Sequence, residues 1–185
     1  MQPGSVPDVW LITGIPGAGK SSVARALAAR LERSAHVEGD ALALAVIGGR
    51  VLPGEEPEDE RTRQIELCIR NQCLLARSYA EAGFAPVIDY VIADEHTLDA
   101  YRNYLMGGRL YLVVLAPPVE VALERHAARD QHVAHRWTHF DEVMRRELDG
   151  VGLWLDAREL DVEQTVDAIL ERKDDAYLRP VARMR

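Results

Sequence analysis

The segment Gly14-Ile15-Pro16-Gly17-Ala18-Gly19-Lys20-Ser21 constrains this chain more than any other feature, because it matches the phosphate-loop pattern G-x-x-x-x-G-K-[ST]. Its flanks give the pattern meaning. Val9-Trp10-Leu11-Ile12-Thr13 reads as a short buried strand, and Ser22 to Arg33 carries Val23, Leu27 and Leu31 at helical spacing. The loop is therefore expected to join a strand to a helix. Gly14, Gly17 and Gly19 admit backbone conformations closed to other residues, so the N–H groups from Gly14 through Ile15, Pro16, Ala18 and onward to Ser22 can turn around phosphate oxygens, Pro16 excepted. The helix adds the positive end of its dipole, Lys20 a point charge for the β- and γ-phosphates, and Ser21 a hydroxyl for Mg²⁺. ATP and Mg²⁺ are the expected cofactors.

The remainder reads as strands alternating with helices. Strands are expected around Ala35 to Glu38, from Ala85 to Ile92, from Leu110 to Leu115 and at Leu153-Trp154-Leu155, with helices at Arg61 to Ala82, Glu95 to Met106, Val119 to Arg129 and Asp141 to Leu148. A last helix is expected from Asp161, with Gln164 placed as in a capping box, to about Lys173. Gly48 to Pro57 is dense in Gly, Pro and charge and reads as a surface loop. Residues 126–140 read as a polar lid and 175–185 as a fraying tail. Alternation of this kind implies right-handed βαβ crossovers and a parallel sheet covered on both faces, with ligands at the carboxyl ends of the strands.

A chain of 185 residues fits one such α/β domain, here residues 1–185. Its net charge of −8 disfavours a broad nucleic-acid or membrane footprint, so a small-molecule partner is expected and oligomeric state is left open. The N-terminus has no basic flank or apolar signal core, which makes a cytoplasmic protein the expectation. Cys68 and Cys73 lie five residues apart in a predicted helix and read as reduced, partly buried thiols.

Four groups of residues are placed where chemistry would occur. Asp40, at the end of the second strand and beside the phosphate loop, is read either as a general base for an acceptor hydroxyl or as the N-cap of a helix beginning at Ala41. Asp89, following Phe84 to Ile88, is read as a Walker-B-type acid able to hold a Mg²⁺-bound water or an acceptor group, or as a polar residue closing a buried strand. Arg125, Arg129 and Arg136 bracket the lid, where guanidinium groups could reach the transferring phosphoryl, Arg129 first among them. The other reading is a solvated helix end. Arg50, Arg61, Arg63, Arg70 and Asn71 follow Asp40 where an acceptor pocket is expected, although solvation explains most such charges. His126, His132, His135 and His139 crowd the lid without a recognised zinc spacing and are read as solvated or packing imidazoles.

The stretches Gly14 to Ser22, Val37-Glu38-Gly39-Asp40-Ala41-Leu42, Val87-Ile88-Asp89-Tyr90-Val91 and Glu124-Arg125-His126-Ala127-Ala128-Arg129-Asp130 together resemble small P-loop kinases of the nucleoside-monophosphate-kinase-like group, most of all chloramphenicol phosphotransferase-like proteins. The resemblance implies a three-layer αβα fold with a five-stranded parallel sheet of order 2-3-1-4-5 and a helical lid. It also implies Asp40 as base, Arg129 in the lid, and adenine beside Asp156-Ala157-Arg158. That family has a second acid where this chain has Tyr90, and the charged loop from Gly48 to Pro57 does not read as a pocket for an apolar antibiotic. The expected function is an ATP- and Mg²⁺-dependent kinase acting on a hydroxyl of a small metabolite or antibiotic. Two alternatives stand beside it: a nucleotide or nucleoside kinase, and a P-loop ATPase switch acting through a protein partner. No N-K-x-D guanine motif occurs, and the chain is short for an AAA+ module with a helical lid domain.

Overall fold

The computed structural model describes residues 8–52, 55–127 and 138–179. Five strands, β1 (Asp8–Thr13), β2 (Ser34–Glu38), β3 (Ala85–Asp89), β4 (Arg109–Leu115) and β5 (Leu153–Leu155), form one sheet in the order β2-β3-β1-β4-β5. Every pairing in it is parallel, as the alternating pattern and the family resemblance imply. The helices are α1 (Lys20–Arg30), α2 (Gly39–Leu44), α3 (Glu58–Glu81), α4 (Glu95–Tyr104), α5 (Val119–Ala127), α6 (Thr138–Glu147), α7 (Val162–Glu171) and α8 (Lys173–Ala176). Helix α1 packs with α7, and α3 with α4, while both α1 and α3 rest on β3.

The central strands are buried on both sides, so they carry continuous apolar runs rather than alternation. Trp10, Leu11, Ile12, Val87, Ile88, Leu112, Val113 and Val114 are almost wholly removed from water. Each fully buried large apolar side chain contributes about 1.5–3 kcal/mol, which places the stabilising mass of the fold directly beneath the strand ends that carry the site.

Several boundaries differ from the sequence reading by a few residues, and three of them bear on the site or the tail. Strand β3 stops at Asp89 rather than Ile92, because Tyr90 N–H donates to Ile12 O at 3.3 Å and Ile92 N–H then donates to Thr13 Oγ1 at 2.8 Å. The chain turns away from the sheet there. Helix α3 begins at Glu58, directly after Pro57, and Glu58, Asp59 and Glu60 in its first turn complement the positive end of its dipole. Helix α7 starts as expected, with the reciprocal Asp161–Gln164 capping box formed, but it ends at Glu171.

Beyond α7 the expectation of fraying from residue 175 fails for the described part of the tail. Tyr177 bridges Tyr111 in antiparallel fashion, Leu178 N–H donates to Leu110 O at 2.9 Å, and the Leu178 side chain is buried. Tyr177 also lies against Tyr111, which stacks on Trp10 with ring centroids 4.6 Å apart. Lys173 Nζ reaches Asp8 Oδ2 at 2.5 Å, and Arg109 binds the other Asp8 oxygen at 2.6 Å. Leu178→Ala should therefore lower the free energy of unfolding by about 2 kcal/mol, the low end for truncating a buried leucine. Urea denaturation measures this, and an unchanged midpoint would mean that the tail adds no stability.

Candidate active site

The phosphate loop leaves β1 at Gly14, whose φ of 147° suits glycine and whose position admits no side chain, since a Cβ there would overlap the Leu115 carbonyl oxygen. Gly19, at φ 97°, is the N-cap of α1. With no side-chain cap and no acid in its first turn, α1 presents its N–H groups and positive dipole end to the loop. Lys20 is nearly buried and donates from Nζ to Ile15 O at 3.3 Å, across the mouth of the cradle. Ile15 and Ala18 are buried beneath it, while Pro16, Gly17 and Ser21 are partly accessible and Ser22 is exposed.

Asp89 ends β3 beside this loop. Its carboxylate is buried and accepts Ser21 Oγ–H at 2.5 Å on Oδ2, and its Oδ1 lies 2.6 Å from His36 Nε2. The sequence reading put both Ser21 and Asp89 at Mg²⁺ but gave His36 no role. The contact follows from register: Glu38 lies opposite Asp89 and His36 opposite Val87, so His36 and Asp89 are diagonal neighbours on one face of the sheet.

Asp40 is not the N-cap. Helix α2 begins two residues before Ala41, at Gly39, with Glu38 in the cap position, and Asp40 falls in its first turn. Gly39 sits under close constraint, because a Cβ would lie 2.5 Å from Tyr90 Cδ2, 2.8 Å from Gln72 Nε2 and 2.9 Å from Asp89 O. A buried polar chain supports this turn: Tyr101 OH donates to Gln72 Oε1 at 2.5 Å, Gln72 Nε2 to Cys68 Sγ at 3.1 Å, and Cys68 Sγ–H to Gly39 O at 3.4 Å. Asp40 is exposed and lines a cavity, yet protein crowds part of its carboxyl. Its pKa is raised by burial, lowered in part by the Lys20 charge and raised again by Asp89. Burial also pushes the Cys68 thiol and the Tyr90 phenol up.

That cavity measures about 610 Å³ and runs from Gly17, Lys20 and Ser21 past Asp40 to α3. Its wall is largely apolar, built from Leu42, Leu44, Val46, Val51, Leu52, Ile65, Tyr90 and Val91. The charged loop after α2 thus presents apolar side chains inward, contrary to the sequence reading. Gln64 explains the fold-back: it accepts Val51 N–H at 2.9 Å and donates to Gly49 O at 2.7 Å, holding the loop against α3. Arg50 and Arg61 line the cavity. Arg70 and Asn71 do not; the lining residues of α3 are Arg61, Gln64, Ile65 and Cys68, one helical stripe, and Arg70 lies on the exposed side.

A second cavity of about 310 Å³ opens between Ala116, Pro118, Arg145, Trp154, Leu155, Asp156 and Arg158. Arg125 does not line it but donates from Nη2 to the carbonyls of Ala157 and Arg158 at 3.4 and 3.5 Å. Arg158 binds Asp156 at 2.5 Å, an exposed pair that lowers the carboxyl pKa and raises the guanidinium pKa. Arg129, Arg136, His132 and His135 lie outside the described residues. The His139 ring lies tilted against Phe140, with centroids 4.2 Å apart. Among the described residues, no group of three or more His, Cys, Asp or Glu side chains could hold a metal ion, and no helix is long and apolar enough to cross a membrane.

A family model described as an AAA domain matches residues 9–150, from β1 to the turn after α6. The chain belongs to this AAA domain family. No curated protein matches the sequence of this AAA domain. Its fold is shared with kinases and with a tunicamycin resistance protein. The Deinococcus radiodurans tunicamycin resistance protein is 22% identical with a TM-score of 0.66, covering 95% of this chain and 100% of its own. A sugar kinase from Janibacter sp. HTCC2649 is 20% identical with a TM-score of 0.64, covering 93% and 96%. The Mycobacterium tuberculosis APS kinase in complex with AMPPNP and APS is 17% identical with a TM-score of 0.64, covering 92% and 99%. These neighbours establish the P-loop kinase fold of the AAA domain and do not single out the narrower likeness to chloramphenicol phosphotransferases.

The raised Asp40 pKa carries a sign. A carboxyl whose pKa is higher folded than unfolded is stabilising below its unfolded value, and that contribution is lost as pH rises through the folded value. Asp40→Asn should therefore gain stability relative to the parent on going from pH 3 to pH 7. Urea denaturation at the two pH values tests this, and a difference that shrinks toward neutrality would contradict the raised pKa.

Proposed function

We propose that the chain is a single-domain, ATP- and Mg²⁺-dependent kinase that phosphorylates a hydroxyl on a small molecule with an apolar body. One observation carries this reading: a single cavity joins the phosphate loop and Asp40 to an apolar wall. The kinase fold of the structural neighbours supports it.

In this reading the loop amides from Gly14 to Ser22 and the Lys20 ammonium bind the β- and γ-phosphates. Trp154 and Pro118 wall the second cavity, where the base would lie against Asp156-Ala157-Arg158, with Arg125 bracing that loop by its two carbonyl bonds. Ser21 and Asp89 offer hard oxygen donors 2.5 Å apart, a set that suits Mg²⁺. When bound, that ion would offset charge on the β- and γ-phosphate oxygens. Leu42, Leu44, Val51, Leu52 and Ile65 hold the acceptor by removing its apolar surface from water, and Arg50 stands at the same cavity for a polar or anionic substituent.

Asp40 orients the acceptor hydroxyl and takes its proton as the new bond forms between acceptor oxygen and γ-phosphorus. The bond from the γ-phosphorus to the bridging oxygen breaks, and ADP leaves with that oxygen. A raised pKa moves the carboxylate closer to working pH and makes it a better proton acceptor than an ordinary aspartate. Arg129 completes the proposal as a lid residue acting on the transferring phosphoryl.

Lys20→Ala should fold normally and lose most ATP affinity or turnover, measured by isothermal titration and by ³¹P NMR of product. Asp40→Asn should bind ATP as the parent does, while product formation falls about 10²- to 10⁴-fold with the acceptor identified from a library of small hydroxyl compounds. Near-normal product from Asp40→Asn would return the base role to Asp89 or to the substrate. Hydrolysis that depends on a protein partner and yields no phosphorylated compound would favour the switch instead.

A further inference from the structure

His36 belongs to no part of the site assigned so far, yet it makes one of the shortest buried polar contacts in the chain. Its Nε2 lies 2.6 Å from Asp89 Oδ1, with the imidazole 16% and the carboxylate 3% exposed. The other Asp89 oxygen is committed to Ser21 Oγ at 2.5 Å. A carboxylate has only acceptors, so both contacts require the partner to donate: the Ser21 hydroxyl to Oδ2 and the His36 Nε2–H to Oδ1. The two bonds together fix the plane of the carboxylate, because rotating it about χ2 would break both.

We propose that His36 is a positioning residue that holds Asp89 in the orientation needed to receive a divalent cation beside Ser21. This rests on the nucleotide-binding reading above. An oxygen ligand is a better one when its carboxylate is held by an outer hydrogen bond, since the bond removes a rotation that would otherwise be lost on binding. Sheet geometry supplies the rigidity. His36 and Asp89 sit on adjacent parallel strands whose register is fixed from Ser34–Ala85 to Glu38–Asp89, and Val37 and Ile88 between them are buried on the opposite face. Glu38, the other acid on the His36 face of β2, is drawn toward Arg25 at 3.7 Å, leaving Asp89 as the imidazole's hydrogen-bonded partner. In a site with so little water, a hydrogen bond of this kind is stronger than on the surface.

The test needs neither an acceptor nor turnover. Binding of Mn²⁺ to the protein–ADP complex is followed by electron paramagnetic resonance, and ADP binding is measured separately in EDTA. His36→Leu removes the donor, whereas His36→Gln places an amide N–H near the position of Nε2. His36→Leu should weaken Mn²⁺ binding about 10-fold, the lower end for loss of an outer partner of a metal ligand, while ADP affinity in EDTA stays at the parent value. His36→Gln should recover most of the Mn²⁺ affinity. Parent-like Mn²⁺ affinity in His36→Leu would overturn the proposal, and so would a parallel fall in metal-free ADP affinity, which marks general damage to the loop. Equal losses in both variants would also overturn it, because the N–H would then not be what matters. If the parent chain bound no ADP at all, the nucleotide reading itself would fall. If it bound ADP but no Mn²⁺, the assignment of Ser21 and Asp89 would fall alone.

Discussion

The buried Asp89 carboxylate ties three elements together. A charged group at the end of a central strand is costly unless hydrogen bonds replace the water it has lost. Here the replacements come from α1, through Ser21, and from β2, through His36. Satisfying one carboxylate therefore fixes the first turn of α1 relative to the sheet and draws the end of β2 alongside β3. The phosphate loop lies between those anchors, and the turn into α2 follows directly from the second. Placement of Asp40 thus depends on a contact it does not itself make.

The cavity shows how a loop dense in Gly, Pro and charge can still add Val51 and Leu52 to an apolar wall. Between Gly39 and Leu52 the chain sets Asp40 and Arg50 among Leu42, Leu44, Val46, Val51 and Leu52, and neither strand nor helix periodicity reveals which side faces inward. Gln64 decides it by binding the loop backbone on both its amide oxygen and its amide nitrogen. A backbone donor and a backbone acceptor that would otherwise face water are thereby satisfied, and the apolar side chains turn toward Ile65 and Tyr90. Polar anchoring and apolar lining are two sides of the same loop.

Sequence reading captured the features whose cause is local. The phosphate loop, the Asp161–Gln164 cap and the five strands each follow from residues within a few positions of one another, and the structure has them all. What escaped depends on residues far apart in the chain. His36 gains its partner only through the register between β2 and β3, 53 positions away in sequence. The cap reading of Asp40 missed by two residues because both Gly39 and Asp40 enter the helix, with Gly39 packed against Tyr90 and Gln72, neither of which is near it in sequence. The tail looked free because its anchors, Asp8 and Leu110, lie at the start of β1 and near the start of β4.

That tail anchorage brings the two described ends of the chain to one edge of the molecule. Leu178 pairs with Leu110, and Leu110 lies opposite Val9, so the ends are separated by two strand spacings, roughly 10 Å. Both sit at the amino ends of the strands, whereas the phosphate loop and Asp40 sit at the carboxyl ends. A short linker joining Asp8 to Arg179 could close the described fold there, with new ends opened elsewhere. A segment that continues from Asp8 or Arg179 sets out from the side of the sheet remote from the phosphate loop and Asp40.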